Sequence, residues 1–208
     1  MSRVIKSLCC VLLLVFSSCG NGTNGSIELS TKEGVSEIKK IVEDQFGLDK
    51  EVYSLSISNK SDNSTEVEQV TIMLLEDGKS SMWFYSALMN KLFKPESSIK
   101  ETDKTKALKL KEFNLDHITA NFKKAVDLIE KETKEFNNYR LEGSYSMTVD
   151  QETGKINESF NLFADKIDVK GNSFYGKRIA DTDMFKFSFK TDEKGELLST
   201  EGLNVFEK

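Results

Sequence analysis

Residues 52–88 read VYSLSISNKSDNSTEVEQVTIMLLEDGKSSMWFYSAL, and this stretch decides the class of fold. Tyr53, Leu55 and Ile57 alternate with Ser54, Ser56 and Ser58, the period of a strand with one buried face. After a polar turn over 60–65, residues 67–76 form a second strand, and Asp77-Gly78 supplies the positive-φ pair of a tight hairpin into a third, over 80–88. Met82, Tyr85, Met89 and Leu92 also share a helical stripe, but the hairpin signal favours a strand as far as Ala87.

Working outward, Ser30 and Glu33 have the spacing of a capping box. They announce a helix with Val35, Ile38, Ile41, Val42 and Phe46 on one stripe, stopped by Gly47. Downstream, 94–113 holds the single proline, Pro95, among lysines, with Leu108 and Leu110 alternating with Lys109 and Lys111. It reads as a linker or an edge strand. Asn114 or Asp116 then caps a second helix with the stripe Ile118, Phe122, Ala125, Val126, Ile129 and Phe136. From Tyr139 the period returns to two: strands over 139–149 and 156–164, then three more marked by turns at Gly171-Asn172 and Lys194-Gly195.

Residues 34–76 and 120–165 share the order helix, turn, strand, turn, strand, which suggests a diverged internal repeat. The expected fold is therefore α+β: two helix-plus-antiparallel-sheet units, 30–93 and 114–208, the second richer in strands. This order resembles the helix-plus-sheet units of PepSY-type and β-lactamase-inhibitor-protein-like domains, a resemblance that implies a fold and no activity.

The N-terminus carries a different message. Arg3 and Lys6 precede an apolar run from Leu8 to Phe16, and the small residues Ser17 and Ser18 precede Cys19, the plan of a secretory signal over 1–18. The run is about half the roughly 20 residues a membrane-crossing helix needs. Phe16-Ser17-Ser18-Cys19-Gly20 resembles the lipobox of bacterial lipoproteins, in the relaxed Bacteroidota-type form that tolerates Phe16 in place of leucine. The resemblance implies cleavage before Cys19, acylation of its thiol with a palmitate-type chain, and a membrane-bound cell-envelope protein. Residues 19–29 are expected to be the lipidated cysteine and a flexible tether, opening Gly-Asn-Gly-Thr-Asn-Gly-Ser over 20–26. No acidic residues follow the cysteine as in the surface-export signal of Bacteroidota lipoproteins, which favours an outer membrane location facing the periplasm.

Removing 18 residues from 208 leaves 190, enough for a packed core, with 27 basic against 34 acidic residues. A formal charge of −7, with both signs mixed along the chain, argues against nucleic acid as a partner. Cys9, Cys10 and Cys19 are the only cysteines, so the exported domain has no thiol for a bridge or a metal.

The search for chemistry is short. His117 is the only histidine, in the first turn of the second helix beside Asp116, with no ligand spacing around it and no partner visible in the sequence; it reads as a partly exposed residue without a catalytic role. Asp165, Asp168, Asp181 and Asp183 lack the pattern of a calcium loop and read as solvated turns. No phosphate-binding loop, nucleophile elbow or Cys-x-x-Cys occurs after Cys19, and neither a cofactor nor a metal is expected. Phe185, Phe187 and Phe189 share one strand face, which serves either as core or as the wall of an apolar ligand pocket. Trp83 and Tyr85, in a run with aromatics on both strand faces, are the candidate interface residues. The resulting expectation is a non-catalytic envelope module that binds a protein or polymer partner. A carrier or sensor of a hydrophobic molecule and a carboxylate-based envelope hydrolase are the alternatives.

Overall fold

A computed structural model describes residues 26–61, 64–102, 104–167, 173–174, 177–178 and 184–203. The helices are α1 (Lys32–Ile41), continued by one π-helical turn (Val42–Phe46), and α2 (His117–Glu132). The strands are β1 (Glu51–Asn59), β2 (Val67–Glu76), β3 (Lys79–Ser86), β4 (Lys91–Phe93), β5 (Ile99–Lys100), β6 (Leu108–Lys109), β7 (Phe136–Val149), β8 (Ile156–Lys166), β9 (Ser173–Phe174), β10 (Lys177–Arg178), β11 (Met184–Thr191) and β12 (Leu197–Glu201). Ten of them make one antiparallel sheet in the order β12-β11-β8-β7-β1-β2-β3-β4, with β5 also on β3 and β6 also on β1; β9 and β10 pair only with each other.

The expectation of two helix-plus-sheet units is overturned: the described residues are mostly antiparallel sheet with two short helices. Its halves are joined by the pairing of β1 with β7, where Ser54 to Ser58 face Thr148 to Ser144. Each meander alone would leave a row of unpaired N–H and C=O groups along β1 or β7. Their side chains are in phase: Leu55 lies opposite Met147, Ile57 opposite Tyr145 and Ser56 opposite Ser146. Joining the edges therefore satisfies the backbone and makes one apolar face of both halves. Both helices contribute to the single core on that face, Val35, Ile38 and Val42 from α1 and its extension, and Ile118, Ala125 and Ile129 from α2.

Local chemistry differs from the sequence reading in three places. Thr31, not Ser30, caps α1: its Oγ accepts from the Gly34 N–H at 3.0 Å, while the Ser30 hydroxyl donates to Glu28 Oε1 at 3.0 Å. Thr31→Ala is expected to cost about 1 kcal/mol, read as a lower denaturant midpoint at unchanged m-value. Phe136 does not belong to the α2 stripe but opens β7, fully packed. Residues 27–29 are part of the fold and not of a tether: the Ile27 carbonyl accepts from Val67 N–H at 2.9 Å, Glu28 bridges Glu66, and Leu29 is buried. A side chain at Gly34 would meet the Glu28 carbonyl oxygen at 1.9 Å, so the absence of a Cβ there lets this segment lie against α1. The segment 94–113, expected as a linker or an edge strand, supplies the short strands β5 and β6 and the buried Leu110 and Phe113.

Candidate functional site

Period-two alternation gives the sheet two chemically different faces. On the helix-covered face, one carboxylate interrupts the apolar phase of β8, where Ile156, Glu158, Phe160, Leu162 and Ala164 alternate inward. Glu158 is 5% exposed. Its Oε1 lies 2.7 Å from His117 Nδ1, and its Oε2 accepts from Asn121 Nδ2 at 2.9 Å and from the Tyr145 hydroxyl. Asn121 Nδ2 also reaches the Tyr145 oxygen at 2.9 Å. Burial, reinforced by the adjacent Glu158 charge, holds the Tyr145 phenol far above its ordinary range, so it remains a donor at any physiological pH.

His117 and Asn121 come from the first two turns of α2, so the cluster fastens that helix end to β7 and β8. The His117 side chain is half exposed at the mouth of a cleft of about 200 Å³, lined also by Glu112, Asn114, Lys124, Thr191 and Gly195. Thus His117, for which the sequence shows no partner, has one 41 residues away. Three donors engage the two Glu158 oxygens, and the Thr191 hydroxyl accepts the Glu158 N–H at 2.8 Å. The carboxylate and the threonine are occupied with holding the fold, and the arrangement reads as a structural clamp.

The opposite face of the sheet carries no described layer. Across its centre run Ser54, Ser56 and Ser58 of β1, Ser144, Ser146 and Thr148 of β7, Asn157, Ser159 and Asn161 of β8, and Ser188 of β11, all partly or fully exposed. Ser56 and Ser146 hydroxyls are 3.2 Å apart, and Ser188 donates to Asn161 Oδ1 at 3.0 Å. Aromatic rings flank this polar field. Phe84 and Phe93 stack at 4.8 Å on the β3–β4 side, and Phe163 stands on β8 opposite Lys186. Nearer one end, Arg140 holds Asp165 bidentately at 2.9 and 3.1 Å and Glu142 at 2.8 Å; its hydrogen bonds keep the Asp165 carboxyl below the usual carboxylate range.

The residues singled out from sequence fall in different places. Tyr85 is core, its hydroxyl donating to Asn90 Oδ1 at 2.6 Å, while Trp83 packs at the core's margin with Lys94 Nζ 4.3 Å and Lys50 Nζ 5.5 Å from its ring. Phe187 and Phe189 are fully buried and Phe185 partly so. Their rings sit 5.0–5.6 Å from each other or from Phe136 and Phe160, so among the described residues they pack on one another within the core. Cys19, the signal over 1–18, and Asp168, Asp181 and Asp183 lie outside the described residues. Among the described residues, no three His, Cys, Asp or Glu side chains come together as metal ligands, and no helix is long and apolar enough to cross a membrane.

No family model, curated protein or solved structure matches this chain. Two signals for these sites were present in the sequence: a glutamate on the apolar phase of a strand, and small hydroxyl residues on the polar phases of both β1 and β7.

Proposed function

We propose that the protein is a lipid-tethered, non-catalytic binding module of the bacterial cell envelope, and that its ligand is a polar polymer lying across the open sheet face. The observation that carries this reading is the continuous field of hydroxyl and amide groups from Ser54 to Ser188, borne by four adjacent strands and bordered by the Phe84–Phe93 pair. A protein partner would normally be met by an apolar, aromatic interface centre. Here the centre is serine, threonine and asparagine, which suits the hydroxyl and amide groups of a glycan strand, while the flanking rings offer stacking surfaces. Backbone pairing on both sides of β1, β7 and β8 holds these groups in a fixed array, limiting the ordering cost of binding. The lipobox-like segment ending at Cys19 supports the tether.

Purified mature chain mixed with insoluble peptidoglycan and sedimented tests the proposal. Wild type is expected to co-sediment, and Ser56→Arg with Ser159→Arg, placing two long side chains on the exposed field, to weaken that association at least about tenfold. Lys131→Glu, on the outer side of α2, is expected to leave it unchanged. Sedimentation no greater than that of an unrelated acidic protein, or equal binding by the arginine variant, overturns the polymer reading.

A further inference from the structure

Leu88 and Met89 are 80% and 65% exposed at the tip of the β3–β4 turn, residues 87–90. They are held there by a built turn. The Tyr85 hydroxyl donates to Asn90 Oδ1 at 2.6 Å, Asn90 takes φ 49°, and Met89 N–H reaches Ser86 Oγ at 3.3 Å. Ser86 opens this turn from the end of β3 that faces Gln69, and Ala87 N–H donates to the Glu68 carbonyl at 2.8 Å. On the same first residues of β2, Val67 N–H donates to the Ile27 carbonyl, and Glu66 bridges Glu28. The exposed tip and the point where the N-terminal segment joins the fold therefore share one end of the sheet.

Seven residues separate Cys19 from Ile27. Whatever their conformation, they reach at most roughly 30 Å. The ten-residue β2, whose first residues receive that segment, spans about the same length. A lipid on Cys19 thus lies within easy reach of the turn end, and reaches the opposite end only with the tether fully extended. We propose that Leu88 and Met89 insert into the bilayer that anchors the chain, forming a second contact that orients the sheet; this rests on the Cys19 tether. The charges beside the turn are mixed, with Lys60 and Lys91 near Glu66 and Glu68, all exposed. Attraction to anionic headgroups is accordingly not the source of the contact, which arises from burial of the two apolar side chains.

The test uses the full chain made in a lipidating host and reconstituted into phosphatidylcholine vesicles. An environment-sensitive dye is placed at Leu88→Cys or, at the far end of β3, at Ile99→Cys, where Ile99 is 69% exposed opposite Ser80. Labelling is selective because Cys9 and Cys10 leave with the signal and Cys19 is acylated. Flotation with the vesicles reads the tether. Quenching by brominated acyl chains, with a blue-shifted emission, reads insertion. The expected result is quenching at position 88 about threefold stronger than at 99, unchanged by anionic lipid or by salt. Flotation with equal quenching at both positions overturns the inserted turn and leaves the tether standing. Failure to float overturns both.

Discussion

Glu158→Ala is expected to destabilise the fold by about 3–5 kcal/mol, because it strands three donors, two of them inside the core. For a chain of this size that corresponds to a fall in Tm of roughly 10 °C. Tyr145 cannot escape the loss by ionising, since its phenol titrates far above neutrality, and Asn121 is itself buried. Glu158→Gln retains one carbonyl acceptor and is expected to lose about half as much. The comparison is made by urea unfolding of the two variants and wild type. A cost for the alanine variant below about 1 kcal/mol would show that the cluster does not fasten α2 to the sheet. Binding to the polar face, measured at a temperature where both variants are folded, is expected to stay within twofold of wild type, since Glu158 points to the other side of β8 from Ser159.

Phe187→Ala is expected to cost about 3–5 kcal/mol, with the midpoint lowered and the m-value unchanged. Phe187 is fully buried against Phe136 and Phe185, and opposite Leu162 in the β11–β8 register, so truncation leaves a void that several rings cannot all move to close. Phe185→Ala, at a partly exposed position, is expected to cost less than half of this. Were the three phenylalanines the wall of a ligand pocket, Phe187→Ala would be tolerated and would increase cavity volume without unfolding. A loss under about 1 kcal/mol would return that carrier reading to consideration.

The individual strands of the first meander were legible because alternation and hairpin chemistry are local: Asp77 at φ 51° and Gly78 at φ 67° sit where the Asp-Gly pair placed the turn. The architecture was not legible in the same way. What joins the halves is the β1–β7 pairing, between residues as far apart as Ser56 and Ser146, and local period carries no information about partners 90 positions away. Like helix-then-strand orders at 34–76 and 120–165 suggested two bodies, whereas complementary edges made one. The His117 partner was hidden for a related reason: nothing near it in sequence supplies one, although Glu158 stood out on its own strand as a charge on an apolar phase. Asn121 gave a parallel hint, lying with Ile118, Ala125 and Ile129 on the buried side of α2. The polar field was visible only as separate serine-rich stretches until the register put them side by side.

The central seam also sets a timetable. As the chain emerges from its N-terminus, β1 can pair with β2 at once, but its other edge has no long partner until β7 appears some 90 residues later. Until then the first meander exposes Leu55, Ile57, Val70 and Ile72, without α2 to cover its share of that face. Closing so distant a contact is an entropically expensive step, which places the molecule among slow, high-contact-order folders in the millisecond-to-second range. The half-made sheet, with an apolar face and an open edge, is the species most prone to self-association, so yield is governed less by the stability of the finished molecule than by how quickly its second half arrives.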